Sequence, residues 1–132
     1  MQYMLLIYEN DVTAYADGEA GKAWQEIVEA HGRFAGDLVQ AGVMRGGNGL
    51  KRADTATTVR RTAGAHTVHD GPYAETREQL GGYYLIDVPD LDQALAWARR
   101  LPLTGDGAVE VRPVLGSDEA PAEAEREAAH GA

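Results

Sequence analysis

Residues 82–102, "GYYLIDVPDLDQALAWARRLP", join a strand pattern directly to a helix pattern. The first seven residues are rich in aromatic and branched side chains, which predicts a strand with two apolar faces. Asp90 then stands as an N-cap with Gln93 three residues later, a pairing that begins helices, and Pro102 ends the segment. The apolar stripe of the predicted helix consists of Leu91, Ala94, Leu95, Ala98 and Leu101.

The N-terminal part repeats this strand and helix order. Gln2 to Tyr8 predicts a strand that is also apolar on both faces. From about Glu19 to Ala41, large side chains recur every three or four residues, and Gly42 stands where a helix usually ends. The residues in this stripe are Trp24, Ile27, His31, Phe34 and Leu38. The first predicted helix therefore carries an imidazole in the middle of its apolar stripe.

The remaining strands are predicted to be shorter. The glycine-rich residues 43–50 are expected to pair loosely, residues 56–62 and 65–69 to form a hairpin, and residues 108–114 to form the last strand. The resulting order predicts a ferredoxin-like α+β fold with both helices on one face of an antiparallel sheet. Because two helices cover only one face, we expect the open face to meet a second copy in a homodimer.

Length and charge divide the chain into a domain and a tail. The 132 residues fit one domain, which we place at residues 1–115. Residues 116–132 carry five acids against one base and no large apolar side chain, so we expect an acidic, disordered tail.

Composition also excludes several classes of function. There is no cysteine, which rules out disulfides, thiolate metal sites and cysteine nucleophiles. The net charge of -9, without a basic stripe, argues against nucleic-acid binding. The apolar run at the start is too short for a signal peptide or a membrane span, so we expect a cytoplasmic protein without membrane contact.

Several segments of the chain carry a likeness to a known family. They are "YMLLIYEN" at 3–10, "AGVMRGGNGL" at 41–50, "ATTVR" at 56–60, "DGPYAETRE" at 70–78 with its continuation to residue 98, and "VEVRPV" at 109–114. Together they resemble the DGPF-domain branch of the YCII-related superfamily, whose signature is Asp-Gly-Pro-Phe-Ala-Glu-Thr-Lys-Glu, so that Tyr73 and Arg77 are the two departures here. The likeness covers residues 1–115 and implies a dimeric α+β barrel.

The resemblance implies less about function. Most members have no assigned reaction, although one lineage acts as a dehydrochlorinase on chlorinated hydroxyquinols. Some YCII-related proteins are linked to a catalytic histidine and aspartate pair, and His31 matches that histidine. The aspartate follows nine residues later on the same helix, where this chain has Gln40; Asp37 is nearby but about 120° around the helix from His31. Branch genes often stand beside genes for extracytoplasmic-function sigma factors, which implies a regulatory setting.

His31 has two interpretations. It is either a packed side chain bonded to a backbone carbonyl, or a general base facing a pocket between helix and sheet. The second interpretation needs an acid close by, for which Asp70 is the leading candidate. Asp70 has its own alternative, because Asp-Gly-Pro is also a turn signal. We predict His31 and Asp70 as the catalytic residues if the protein is an enzyme.

Four further residues are candidate ligand contacts, namely Tyr73, Glu75, Glu78 and Arg112. The first three belong either to a lid over a ligand or to a solvated charged loop. Arg112 shares one face of the last strand with Glu110, as an ion pair or as a ligand contact.

No metal site or cofactor is predicted. His66 and His69 are three residues apart, but in a strand or loop they point to opposite faces. The sequence has no dinucleotide or phosphate-binding loop and no nucleophile elbow. Two hypotheses remain: an enzyme-like small-molecule site that uses His31, and a non-catalytic module that binds a small ligand or a regulatory protein.

Overall fold

The computed structural model describes residues 1–10, 18 and 21–117. The strands are β1 (Gln2–Glu9), β2 (Met44–Gly49), β3 (Thr57–Thr62), β4 (Ala65–Asp70), β5 (Gln79–Asp87) and β6 (Gly107–Pro113). The helices are α1 (Lys22–Gln40) and α2 (Leu91–Arg100), with a short 3-10 turn at Ala53–Thr55. The predicted α+β class, with two helices, an antiparallel sheet and a hairpin, is confirmed. The expected tail lies outside the described residues from position 118 onward.

Four strands form one antiparallel sheet in the order β2-β5-β1-β6. Edge strand β2 pairs along β5 in spite of its glycines, and the packing explains why they are there. A Cβ on Gly47 would lie 2.9 Å from the Tyr84 ring, and one on Gly82 would lie 2.9 Å from the Asn48 carbonyl oxygen. The glycines therefore let β2 approach β5 closely. β5 also contains a bulge at Gly81, because Ile7 pairs with Gly82 whereas Tyr8 pairs with Leu80.

One face of this sheet carries the core under both helices. Its buried side chains are Tyr3, Leu5, Ile7, Tyr84, Ile86 and Val88 from the strands and their ends, and Phe34, Leu38, Ala94 and Leu101 from the helical side. Leu5, Leu38 and Ile86 are fully buried, and each such side chain contributes about 1.5–3 kcal/mol. Asp90 caps α2 by accepting a hydrogen bond from the Gln93 backbone N–H at 2.9 Å, as the sequence predicts.

The opposite face of the sheet has no helix on it among the described residues. Alternation along β1 and β5 places partly exposed apolar side chains there: Met4, Leu6, Tyr8, Tyr83 and Leu85. The hairpin of β3 and β4 turns at Ala63 and Gly64, both with positive φ, and its cross-strand pair Val59 and Val68 is 63% and 66% exposed. No helix in the described part of the chain is long and apolar enough to span a membrane.

Candidate functional site

A cavity of about 560 Å³ lies between α1 and the β2, β5 and β1 part of the sheet. Its apolar wall includes Ile7, Trp24, Ile27, Val28, Ala35 and Leu50. Its polar groups include Glu9, His31, Lys51, Tyr84 and Thr104. Glycines of β2 and β5 form part of the lining, so backbone rather than side chain borders the cavity there. The concave shape, the apolar wall and the few convergent polar groups are typical of a small-molecule site.

His31 of α1 lines this cavity, and its ring contacts Tyr84 of β5. Its Nδ1 lies 2.8 Å from the Tyr84 hydroxyl, and the two rings stack with centroids 5.9 Å apart and an interplanar angle of 17°. The backbone carbonyl of Pro102 also acts on the ring and favours an N–H there, which we assign to Nε2 because Nδ1 faces the Tyr84 hydroxyl. In the neutral ring Nδ1 is then the acceptor, and the Tyr84 hydroxyl donates to it.

Burial determines the charge of this histidine. Desolvation lowers the pKa of His31 below its usual value, while the Glu9 carboxylate and the Pro102 carbonyl act in the opposite direction. Because desolvation is the largest of these effects, the imidazole is neutral at neutral pH. A neutral imidazole with an accepting Nδ1 can take up a proton.

Tyr84 lies at the centre of the site and is 8% exposed. Its ring packs edge-on against Phe34, with centroids 5.1 Å apart, and this contact fixes the direction of the hydroxyl. Burial raises the pKa of Tyr84, so the side chain stays a phenol that can donate to His31.

Glu9 is the carboxylate whose charge acts on His31, and it was not predicted from the sequence. It ends β1 on the same side as Leu5 and Ile7, and its Oε2 accepts hydrogen bonds from the Thr104 backbone N–H and hydroxyl, both at 3.0 Å. The alternation of β1 was the available signal, because it places an acid on the helix-covered face. Glu9 therefore anchors the loop that carries Pro102 and also supplies negative charge to His31.

Asp70, the predicted catalytic partner of His31, does not line the cavity. Among the described residues that line the cavity, none comes from 70–78. Asp70 is exposed at the end of β4, and its carboxylate makes no hydrogen bond within the described part of the chain. The next residue, Gly71, extends the pairing of β3 and β4, because its backbone N–H donates to the Ala56 carbonyl at 2.7 Å. The structure thus does not bring Asp70 and His31 together on the cavity of one chain.

The other predicted ligand contacts also lie away from the cavity. The Tyr73 ring is 72% exposed and lies 5.0 Å from the Arg60 guanidinium, while Glu75 and Glu78 are exposed. The Gln79 side-chain amide shapes this loop by donating to the carbonyls of Ala74 and Thr76 at 2.7 and 3.0 Å. Arg112 forms an ion pair with Glu110, its neighbour on the sheet face away from the helices.

Neither Gln40 nor Asp37, the two helix residues considered as partners of His31, lines the cavity. Gln40 is the last residue of α1 and is exposed. Asp37 forms an ion pair with Arg100 of α2. No group of three or more histidine, aspartate or glutamate side chains within the described ranges could hold a metal ion. His69 contacts the Pro72 carbonyl at 3.4 Å.

The fold and this site define a small α+β protein with a histidine-lined cavity between helix and sheet. Residues 1–118 match the YCII-related domain. The chain is 37% identical over 120 residues to an uncharacterized protein of Rhizobium meliloti (strain 1021), in an alignment that covers 86% of this chain and 92% of that protein. The chain belongs to the YCII-related domain family.

Proposed function

We propose that the chain binds a small organic molecule in the cavity and exchanges a proton with it through Tyr84 and His31. The observation that carries this proposal is the 2.8 Å contact between the Tyr84 hydroxyl and Nδ1 of His31 on the wall of an apolar cavity. An acidic group of the ligand would donate to the Tyr84 oxygen. Its proton passes to that oxygen while the Tyr84 proton moves to Nδ1, and the reverse steps return it.

The surroundings of His31 support both directions of this transfer. Desolvation keeps the imidazole neutral and ready to accept, since it lowers the pKa of His31. The Glu9 carboxylate and the Pro102 carbonyl stabilise the imidazolium once it forms, because each favours the charged ring. The site thus combines a proton acceptor with a means of stabilising its charged product, as acid–base catalysis requires.

The first experiment follows the His31 ring protons by NMR while 2-naphthol, an apolar molecule with one acidic hydroxyl, is added to the full chain. We expect the His31 signals to shift, and we expect Tyr84→Phe to weaken binding by about 0.5–1.5 kcal/mol, the contribution of one hydrogen bond. Tyr3→Phe is the matched control, because Tyr3 is also buried but does not line the cavity. Unshifted His31 signals, or equal affinity in Tyr84→Phe, would contradict the proposal.

We also propose a ferredoxin-like homodimer that forms an α+β barrel. The strand order, the apolar sheet face without a helix and the hairpin with its exposed Val59 and Val68 support it. Sedimentation should give a dimer for the native chain and for Leu91→Glu, which adds a charge at an exposed position on α2. Leu6→Glu, on the open sheet face, should give a monomer. A native chain that sediments as a monomer at micromolar concentration would count against the dimer.

A second candidate function is a protein-binding module in the DGPF branch. The exposed valine pair of the hairpin favours it, and the 70–78 segment "DGPYAETRE" supports the branch and its sigma-factor setting. The double variant Val59→Thr with Val68→Thr keeps β-branched side chains but removes apolar surface. Sedimentation with a purified extracytoplasmic-function sigma factor should then show a complex that the double variant weakens. No complex with the native chain would exclude this partner class.

A further inference from the structure

We propose that the ligand of the cavity is a small organic monoanion with an apolar body, and that its anionic group binds Lys51. This inference rests on the proposed function, because it specifies the molecule that the same cavity takes. Lys51 follows β2, lines the cavity and is exposed, so it belongs to the solvent-accessible part of the lining.

Of the two fully charged side chains that line the cavity, Glu9 and Lys51, only Lys51 can bind an anion. Glu9 is already engaged, since its Oε2 accepts two hydrogen bonds from Thr104. Lys51 forms no ion pair within the described part of the chain. The adjacent Arg52, by contrast, lies 3.4 Å from Asp54 and is not part of the cavity lining. Lys51 is therefore a cation on this wall that has no ion-pair partner among the described residues.

The sheet topology places the lysine where an elongated ligand could reach it. β1 and β2 run in the same direction with β5 between them, so their ends are about 10 Å apart, two strand spacings. Glu9 closes β1, and the segment after β2 is tied to β5 by the Leu50 backbone N–H, which donates to the Gly81 carbonyl at 2.9 Å. An anion at Lys51 is thus separated from the carboxylate of Glu9, and the floor between them is glycine backbone.

The rim of the cavity indicates the rest of the ligand. Val28 and Leu50 line it and are 49% and 42% exposed, so an apolar body would remove their side chains from water. A single lysine cannot neutralise a polyphosphate, and the net charge of -9 repels one. A monoanion such as an aryl or alkyl carboxylate satisfies both the cation and the apolar wall.

The experiment compares three probes that share one body and differ in charge: 2-naphthoate, 2-naphthylmethanol and 2-naphthylmethylammonium. Each is titrated into the full chain at low salt, and binding is read from the His31 ring protons. We expect 2-naphthoate to bind about fivefold more tightly than the alcohol, the upper range for an exposed ion pair, and the ammonium to bind most weakly. Added salt should reduce the preference.

Lys51→Gln should bind 2-naphthoate and the alcohol equally, whereas Arg52→Gln, the matched control, should keep the native preference. If the alcohol shifts His31 but 2-naphthoate binds no more tightly, the anion inference fails and the cavity stands as a small-molecule site. The inference also fails if the preference survives Lys51→Gln. If none of the three probes shifts His31, both the inference and the proposed function are wrong.

Discussion

Two glycines of α1 offer a matched test of the cavity. Gly32 lines it and Gly36, one turn further, does not. Both are exposed in the helix interior, and a Cβ added at either would meet no atom within 4 Å apart from its chain neighbours and the helix's own backbone. Because glycine is costly inside a helix, alanine at either position should stabilise the fold by about 0.5–1 kcal/mol. For a domain of this size that free energy corresponds to a rise in Tm of roughly 2–6 °C.

Thermal unfolding and binding of 2-naphthoate are then measured on both variants. Gly32→Ala and Gly36→Ala should gain similar stability, but only Gly32→Ala should bind the probe more weakly, because its new methyl group borders the cavity. Equal affinities in the two variants would refute the position of the binding site. A loss of stability in Gly36→Ala would contradict the interpretation that α1 has free space for a methyl group at this position.

Three further predictions concern the charges around His31. Glu9→Gln should lower the pKa of His31 further, because the carboxylate opposes the effect of burial; an unchanged NMR titration would show that Glu9 does not act on the ring. Asp70→Asn should leave that titration unchanged, and a shift would mean that the 70–78 segment reaches the site. Because the pKa of His31 is lowered in the folded state, the unfolded chain binds the proton more tightly, so unfolding free energy should fall as pH drops below about 6.5. His31→Gln should remove that part of the pH dependence in urea unfolding.

Local features of the fold could be predicted from the sequence because their causes lie within a few residues. The Asp90 cap depends on Gln93, three positions later, and is present as predicted. The hairpin turn at Gly64 likewise follows from neighbouring residues. β2 was expected to pair loosely, since glycine weakens an isolated strand, yet its glycines are what allow close packing on Tyr84. This role of the glycines depends on the neighbouring strand β5, so the sequence of β2 alone does not reveal it.

The site could be predicted only in part, because most of its contacts join residues that are far apart in the sequence. His31 was found because an imidazole interrupts an apolar stripe, which is a local pattern. Its partner Tyr84 is 53 residues away, and the bond from Thr104 to Glu9 spans 95 residues. Tyr84 was one more aromatic residue of a predicted strand, and Glu9 lay just beyond the predicted first strand. The DGPF-like segment drew attention to Asp70 because it concentrates charge, although charge concentrated in a loop need not face a cavity.

The two interpretations of His31 do not exclude each other. A backbone carbonyl such as that of Pro102 is the partner expected of a packed histidine, and its effect on the ring favours the tautomer whose Nδ1 accepts from Tyr84. Glu9 holds the loop that provides this carbonyl. A carboxylate on β1 can therefore act on the histidine, although α1 has Gln40 where the resemblance implies an aspartate. In this chain the proton-accepting nitrogen depends on the same contacts that hold the loop, so the site and the core are stabilised together.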